Sequence, residues 1–498
     1  MKKFIFIVLV ALIWGCDDFL EEKSQSEIRP TTVKDMEKLL EGEAYFTMYE
    51  GPVFNTETDI FTDDWKCNML NIPKSYLDKK LKDRYHFMWD PLMFEEEGGG
   101  LDMTFGTVPY NRIKGCNVIL EYMDEMSGDE VKKVHLLGEA YTLRGFYYLM
   151  LVNFFGLPYN EGNPAEHLGV PLKLVSGVTD EKFKRNSVVE CYAQIEKDLL
   201  KGAELMEQGK EKASTLNKRL NYLAGYALLS RMYLYLEDWE NVLKYSDLVL
   251  SVKNDLVDMR LSNVGVYESS SPEILWGGAC QWYESGNSVK YPYTISGELV
   301  GVYQEDVNDA IVDIRGDYIN KRRATFLKYG REDIYSDPFT FDHSDYWVSF
   351  VFKCNNTFDP VCGGIRVAEM YLNRAEAYIR KYVETGNVED AKKALEDLNE
   401  LRRHRFEDGY VDKEISDFTT KEELLAFCLR ERRRELCGEG NHRWFDLRRT
   451  GMPEIKHIYL DENGGQATEY VLEKGDRRYA LPIPKEVLKR NSGLVQNN

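Results

Sequence analysis

The densest cluster of side chains able to do chemistry lies near the end of the chain, in residues 431–451. The stretch reads Glu-Arg-Arg-Arg-Glu-Leu-Cys-Gly-Glu-Gly-Asn-His-Arg-Trp-Phe-Asp-Leu-Arg-Arg-Thr-Gly. Within it, His442, Glu439 and Asp446 are residue types that serve as general acids and bases. A buried network of ion pairs would explain the same residues, because structural networks imitate catalytic clusters.

The residues that precede this stretch favour the structural interpretation. Leu424, Leu425, Cys428 and Leu429 have the spacing of a half-buried helix. Charges that continue along such an apolar stripe are costly unless each finds an opposite charge and hydrogen bonds. We therefore assign no catalytic residue and predict a structural clamp, which we define as Arg432, Glu435, Glu439, Arg443 and Asp446.

The overall composition excludes one class of function and suggests another. The 498 residues are 43% hydrophobic, enough for a large core, and carry a formal charge of −20. No basic face of the kind that binds nucleic acid is present. Aromatic residues make up 13% of the chain, including 32 tyrosines, which suits a surface that stacks on sugar rings.

The N-terminus predicts export and a lipid anchor. Lys2 and Lys3 precede an apolar run over residues 4–14 that is too short to span a membrane, and Gly15 and Cys16 follow. We predict a signal peptide over 1–15 and a tether over 16–30, with Cys16 as the lipidated first residue. The alternative is ordinary signal-peptidase cleavage that leaves Cys16 as a free thiol.

Helical periodicity dominates the remaining chain, interrupted by aromatic loop regions. We predict helices over 33–49, 136–155 and 188–205, and a short buried strand over 273–276, with loop-rich insertions over about 51–106 and 256–364. An Arg-x-x-x-Tyr motif recurs three times in similar surroundings, at Arg144, Arg231 and Arg374. The pattern predicts a mainly α fold with a tetratricopeptide-like repeat scaffold and few short strands. The alternative is plain antiparallel helix pairing without true repeats.

Several motifs, in this order, resemble the SusD/RagB family of outer-membrane nutrient-binding lipoproteins over nearly the whole mature chain. They are Cys16, Tyr110–Asn117, Gly138–Pro158, Ala227–Tyr235, Arg366–Tyr378, Glu435–Arg449 and Leu481–Pro484. The sequence departs from the family pattern at Gly438, where an aromatic is common, and at Asn441, which has the character of a one-residue insertion. The resemblance implies one globular body with an N-terminal part over 31–255 and a C-terminal part over 256–498.

The resemblance also implies a location, a partner and a ligand. It implies a lipid-anchored protein facing the cell exterior that captures an oligosaccharide and passes it to a SusC-like TonB-dependent transporter. An oligopeptide ligand, a glycoside hydrolase and a pure protein-binding scaffold are the alternatives. The hydrolase would need two carboxylates about 5–10 Å apart beside a cleft, and no spacing in the sequence singles out such a pair.

Binding residues vary within the family, so the candidates come from chemistry alone. Trp and Tyr stack on the apolar faces of sugar rings, while Asp and Asn bind hydroxyl groups. In the loop regions these types are Asp64, Trp65, Asn68, Tyr76, Trp282, Tyr283, Tyr346 and Trp347. Trp89 and Trp276 lie in better-patterned segments, so we predict that both are core. No cofactor or metal is predicted. The resemblance leaves room for a structural calcium ion, because family members can bind one in loops, but no loop here has the ligand spacing that would assign it.

Overall fold

The computed structural model describes residues 30–46, 60–67, 81, 83–95, 102–177, 179–209, 219–261, 266, 270–279, 293–305, 311–316, 361–460 and 466–497. The predicted signal peptide, Cys16 and the predicted binding residues Tyr346 and Trp347 lie outside these residues. Predictions about those positions therefore stay predictions.

Helices form most of the described chain. In the N-terminal half they are α1 (Val33–Leu39), which continues into a π-helical turn at Leu40–Ala44, α2 (Asp102–Tyr122), α3 (Glu130–Phe155), α4 (Val188–Gln208), α5 (Tyr222–Leu236) and α6 (Trp239–Leu250), with strand β1 (Trp65–Cys67) between α1 and α2. The C-terminal half contains β2 (Ile274–Ala279), β3 (Tyr293–Ile295), α7 (Gly297–Gln304), β4 (Val361–Arg366), α8 (Val367–Thr385), α9 (Val388–Arg403), α10 (Lys421–Leu436), α11 (His442–Arg449), β5 (Ile455–Leu460), β6 (Ala467–Leu472) and α12 (Lys485–Arg490).

Local sequence signals explain where the helices begin and end. Ser187 caps α4, with a reciprocal bond between its side chain and Glu190, as the Ser-x-x-Glu spacing predicts. The Asp129 side chain caps α3 by accepting hydrogen bonds from the backbone N–H groups of Val131 and Lys132, and Gly156 ends that helix. The predicted helix over 188–205 is confirmed and extends three residues further, because the apolar face continues to Met206.

Consecutive helices stack in a repeating order, which confirms the tetratricopeptide-like scaffold. Helix α3 packs on α4, α4 on α5, α5 on α6, α6 on α8, and α8 on α9 and α10. Each repeated arginine ties two helices together through a carboxylate. Arg144 of α3 binds Asp198 of α4 at 2.7 Å, and Arg374 of α8 binds Asp397 of α9 at 2.6 Å.

The middle copy of the motif makes a longer connection. Arg231 of α5 reaches Glu369 of α8 at 2.6 Å, although 138 residues separate the two in sequence. Arg231 therefore connects α5 with α8. The other two copies also contact a third helix, because Arg144 donates to Asn117 of α2 at 2.8 Å and Arg374 contacts Asp247 of α6 at 2.7 Å. Equal motifs thus serve different contacts within one stack.

The closest helix crossing depends on glycine. A Cβ placed at Gly202 of α4 would lie 2.1 Å from the Thr142 hydroxyl oxygen of α3, closer than real atoms approach. Gly138 of α3 lies at the same crossing, and a Cβ added to it would lie 2.8 Å from the carbonyl oxygen of Gly202. Glycine at both positions lets the two backbones approach directly.

The described strands form three separate antiparallel pairs, β1–β3, β2–β4 and β5–β6. In the first pair Trp65 lies opposite Ile295, and in the last Ile455 lies opposite Leu472. The predicted strand at 273–276 is confirmed as part of β2. Its Trp276 is fully buried and contacts Phe46 and Phe146 edge-on at ring-centroid distances of 5.7 and 5.2 Å.

The main core lies among α1 to α6 and extends to β2 and α11, and a second cluster lies among α8, α9 and α10. Trp89 and Trp276 both lie in the main core, as predicted. In the described segments, no helix has both the length and the apolar character that a membrane crossing requires.

The last residues bind back onto the scaffold through side chains rather than through a strand. Gln496 pairs with both backbone groups of Ile483, at 2.6 and 2.8 Å. The Asn497 amide donates to the carbonyl oxygens of Phe155 and Leu481, at 2.9 and 2.6 Å. The C-terminal tail is therefore irregular in backbone but held in position by side-chain hydrogen bonds.

Candidate functional site: a cleft beside Trp65

A cleft of about 750 Å³ lies beside β1, β5 and the start of α11. Its volume falls in the range of roughly 300–1,000 Å³ that is typical of small-ligand sites. Apolar and charged side chains alternate around it. They are Asp63, Trp65, Lys66, Cys67, Phe87, Ser296, Glu298, Arg443, Leu447, Pro453, Glu454, Ile455, Lys456, His457, Ile458 and Leu460.

Trp65 forms part of one wall of the cleft. Only 6% of this residue is exposed, because the rest packs in a cluster with Phe87, Tyr293 and Tyr459. A ligand in the cleft would therefore meet only a small part of the Trp65 side chain. Trp65 anchors the wall, and its predicted stacking on a sugar stays a prediction.

Two arginines hold the acidic turn that precedes Trp65. Arg443 of α11 donates two hydrogen bonds to the Asp63 carboxylate, at 2.8 and 2.5 Å. Arg433 of α10 donates to Asp64 at 2.7 Å and to Glu298 at 2.8 Å. Paired bonds of this kind fix direction as well as distance, so the turn is rigidly placed at the cleft.

Burial and these arginines set the ionisation of the turn. Burial acts to raise the pKa of Asp63, but the Arg443 and Arg433 guanidiniums outweigh it and hold the pKa below its ordinary value. At Asp64 burial dominates, and with the nearby charge of Asp63 it raises the pKa despite Arg433. Asp63 is therefore the fixed anion of the pair and the one that lines the cleft.

His457 of β5 fixes the opposite wall. Its ring lies between Phe87 and Trp89, at centroid distances of 4.0 and 4.3 Å and nearly parallel to both. Its Nδ1 and Nε2 atoms lie 2.7 and 2.9 Å from the carbonyl oxygens of Phe87 and Thr62. The residue thereby joins the hairpin to the loop that carries Asp63 and Trp65.

The predicted clamp residue Glu435 lies at the centre of a buried ion-pair network. Its carboxylate contacts Arg366 at 2.6 Å, Arg315 at 2.8 Å and Arg405 at 2.9 Å. All four side chains are at most 1% exposed. Burial acts to raise the pKa of Glu435, but the three guanidiniums outweigh it and hold the pKa well below its ordinary range.

The other clamp residues join this network or extend it. Glu439 binds Arg366 at 2.8 Å, and Asp446 receives Arg432 at 2.8 Å. Arg443 holds Asp63, as described above. Arg448, two residues after Asp446, donates to the carbonyl oxygen of Gly156.

The acid–base alternative for the stretch gains no support from the geometry. His442 is 4% exposed and lies 3.7 Å from Glu369 and 3.5 Å from Arg432. Glu439 and Asp446 are both bound to arginines. Of the predicted clamp, only Arg443 lines this cleft, so the Glu439 and Asp446 carboxylates lie outside its lining.

The unusual turn between α10 and α11 explains the two departures from the family pattern. Gly438, Gly440 and Asn441 all adopt left-handed backbone conformations, with φ of 66°, 49° and 63°. Glycine adopts this region without steric cost, and asparagine tolerates it better than most residues. An aromatic at position 438 would be strained in this backbone.

The structure tests the position of only two of the eight predicted binding residues. Trp65 lines the cleft, but the Asp64 carboxylate points to Arg433, so Asp63 replaces it at the cleft. The other six, Asn68, Tyr76, Trp282, Tyr283, Tyr346 and Trp347, lie outside the described residues. Sequence reasoning missed Lys456, His457 and Glu298, because nothing in their local pattern marks them as neighbours of Trp65.

No group of three or more His, Cys, Asp or Glu side chains within the described ranges is arranged to hold a metal ion. The cleft instead offers donors and acceptors of both signs beside apolar walls. Such a surface can bind a neutral polar molecule by hydrogen bonds and apolar contact. Fold and cleft together define a helical-repeat protein with a cleft that is lined by residues outside the repeats.

Comparisons with known proteins agree with this class. Residues 18–234 match a SusD-like family described as starch-binding and associating with the outer membrane, and residues 363–498 match the SusD family. The chain belongs to the SusD/RagB family. No curated protein sequence matches it significantly.

Solved structures share the fold over almost the whole chain. A SusD-like carbohydrate binding protein from Bacteroides vulgatus ATCC 8482 is 21% identical with a TM-score of 0.65, covering 93% of this chain and 97% of that one. A SusD superfamily protein from Bacteroides thetaiotaomicron VPI-5482 is 22% identical with a TM-score of 0.64, covering 94% and 100%. At these identities the likeness establishes the fold alone.

Proposed function

We propose that this protein binds oligosaccharides at the cell surface and delivers them to a SusC-like TonB-dependent transporter. The observation that carries the proposal is the cleft beside Trp65. Arg433 and Arg443 fix the turn at its edge, and the chain matches a family described as starch-binding. The protein acts as a binder, so no bond in the ligand is broken.

The chemistry of the cleft suits a sugar. Asp63 and Glu298 offer hydroxyl acceptors, while Lys456 and Arg443 offer donors, and Trp65 with Ile458 offers apolar contact. Acceptors and donors are both present, as a ring of hydroxyl groups requires. We propose that the other six predicted binding residues extend this surface. They are Asn68, Tyr76, Trp282, Tyr283, Tyr346 and Trp347.

The test of the site uses two lysines in similar settings. Lys456 lies at the cleft, is 54% exposed and contacts Glu454 at 3.2 Å. Lys392 lies on α9 away from the cleft, is 57% exposed and contacts Glu389 at 3.3 Å. We expect Lys456→Ala to weaken oligosaccharide binding several-fold in calorimetry, and Lys392→Ala to leave it unchanged, with little effect of either on melting temperature.

The ligand class is tested with maltoheptaose at the head of a panel of purified oligosaccharides, beside a panel of peptides. Binding of peptides alone would replace the glycan proposal with the oligopeptide alternative. If Trp65→Ala and Trp282→Ala both leave glycan affinity unchanged, the proposed aromatic surface is wrong. New reducing ends after incubation with the panel would contradict a pure binder.

The proposed lipid anchor makes mechanical sense for delivery. A tethered binder stays at high local concentration over a transporter in the same membrane, even when its affinity is modest. We expect Cys16→Ala to release the protein from the membrane fraction, measured by fractionation and immunoblot. Continued retention of this variant in the membrane would rule out lipidation at Cys16.

A further inference from the structure

Arg185 and Arg448 are buried arginines whose hydrogen bonds within the described part of the chain go to neutral acceptors, but they differ in how many of their N–H groups are bonded. Arg185 makes five hydrogen bonds, to the carbonyl oxygens of Gly169, Val495, Phe155 and Leu168 and to the side-chain oxygen of Asn497, at 2.7 to 3.1 Å. These match the five N–H groups of a guanidinium. Arg185 is therefore saturated by neutral acceptors.

Arg448 is equally buried but not saturated. It is 2% exposed, and its Nη2 donates to the carbonyl oxygen of Gly156. Its Nε and Nη1 atoms are fully enclosed and have no hydrogen-bond partner among the described residues. Buried donors left in this state cost about 1–3 kcal/mol each, and more when they are charged.

A third enclosed polar atom lies beside Arg448. The Tyr235 hydroxyl is also buried and has no hydrogen-bond partner in the described part of the chain. The Tyr235 ring contacts Phe445 at a centroid distance of 6.0 Å, and Phe445 precedes Arg448 by three residues, on the same face of α11. The electrostatic neighbours of Arg448 are the phenols Tyr192, Tyr235 and Tyr479.

The nearby carboxylates are already engaged. Asp446 on the same helix receives Arg432 and Arg449, each at 2.8 Å. Glu376 receives two further bonds from Arg449, at 2.7 and 2.8 Å. Arg448 thus adds a positive charge to a cluster in which each acidic side chain is shared by other arginines.

We propose that Arg448 and Tyr235 form an internal site for a small monovalent anion of chloride size. The free donor atoms, two guanidinium nitrogens that carry three N–H groups and one hydroxyl oxygen, are of the kind from which a halide ion accepts hydrogen bonds. A water molecule would satisfy the donors but would leave the charge of the guanidinium uncompensated in an apolar interior. Burial lowers the pKa of Arg448 to about 10, so the side chain still carries its charge at neutral pH.

Chloride binding would stabilise the fold by mass action. We expect the melting temperature to rise by about 2 °C for each tenfold increase in chloride at constant ionic strength, with gluconate as the replacing anion. Crystals grown in sodium bromide should show an anomalous peak within hydrogen-bond distance of Arg448 Nε and Nη1. Equal melting temperatures in chloride and gluconate, or a water molecule without an anomalous signal, would overturn the proposal.

Variants separate this site from general salt effects. Arg448→Met should abolish the dependence of melting temperature on chloride, and Tyr235→Phe should weaken it by removing one donor. Tyr192→Phe is the matched control, because its hydroxyl is near Arg448 but already bonds to Asn153 at 3.1 Å. A chloride dependence that persists unchanged in both Arg448→Met and Tyr235→Phe would place the effect elsewhere. If Arg448→Met does not fold, the comparison of the two tyrosine variants decides.

Discussion

Two regions of this protein use the same residue types at different depths. Around Glu435, arginines and carboxylates are almost fully enclosed, and Glu431 and Glu435 each bind three guanidiniums. At the cleft, Asp63 and Arg443 keep 15% and 19% of their side chains exposed, and Lys456 keeps 54%. The first region can only stabilise, whereas the second also presents charge to a ligand.

The difference shows that burial, and not residue type, assigns the role. An enclosed ion pair loses solvation and becomes strongly destabilising when one partner is removed. An exposed pair contributes little to stability, so its residues are available for recognition. Arg443 lies between these extremes, because it ties the two regions together.

The largest expected effect comes from breaking the enclosed network at Arg366. This side chain binds Glu273 at 2.8 Å, Glu435 at 2.6 Å and Glu439 at 2.8 Å. We expect Arg366→Met to lower the free energy of unfolding by about 3–5 kcal/mol, because three carboxylates lose a shared partner. Urea denaturation measures the loss.

The matched control for that variant is an exposed arginine. Arg260 contacts Asp258 at 2.6 Å and Asp408 at 2.8 Å but is 33% exposed. Arg260→Met should cost less than about 1 kcal/mol. Similar losses in the two variants would contradict the distinction between enclosed and exposed pairs.

Acid should weaken the enclosed region in a predictable pH range. Burial acts to raise the pKa of Glu376, but Arg449 and Arg380 outweigh it and lower the pKa from 4.5 to about 2. A carboxyl group with a lowered pKa in the folded state stabilises the fold above pH 4.5 and loses that contribution as pH falls toward 2. The shift corresponds to roughly 3 kcal/mol, of which about 2 kcal/mol is lost by pH 3.

The variant Glu376→Gln isolates this effect. It should be less stable than the natural protein at pH 7, and the difference in unfolding free energy should narrow by about 2 kcal/mol between pH 7 and pH 3. Other titrating groups are common to both proteins, so they largely cancel. If the difference in unfolding free energy stays constant between pH 7 and pH 3, then Arg449 does not lower the pKa of Glu376.

A smaller effect is expected where the two regions meet. Lysine cannot reproduce the two parallel hydrogen bonds that Arg443 donates to the Asp63 carboxylate. Arg443→Lys should therefore cost about 1–2 kcal/mol of stability and also weaken oligosaccharide binding, since Asp63 lines the cleft. Arg366→Lys serves as the comparison, with a larger loss of stability and no direct loss of affinity. Unchanged oligosaccharide affinity in the Arg443→Lys variant would show that the placement of Asp63 does not matter for binding.

Local chemistry was readable from the sequence. Helix starts at Ser187, the apolar spacing of α10 and the recurring Arg-x-x-x-Tyr motif all depend on neighbours within one or two turns. Such short-range rules act before the chain is folded, so the helical-repeat fold and the charged stretch at 431–451 could be predicted. The burial of Trp89 and Trp276 also followed from local pattern.

Partners distant in the chain were not readable. Glu435 and Glu439 lie among many arginines in the sequence, yet both bind Arg366, about 70 residues earlier. Likewise, the choice of Asp63 over Asp64 at the cleft depends on where α10 and α11 place Arg433 and Arg443. Two adjacent aspartates look alike in sequence, because their difference arises only when distant helices approach them.

What the sequence determined by itself was therefore the set of helices, the family and the presence of a strongly charged stretch. Only the tertiary structure decided which of those charges are enclosed, which line a cleft and which, like Arg448, keep buried donor atoms without an acceptor among the described residues. The physical reason is that periodicity and capping are properties of neighbouring residues. Burial, which sets the energy and the role of a charge, is a property of the whole fold.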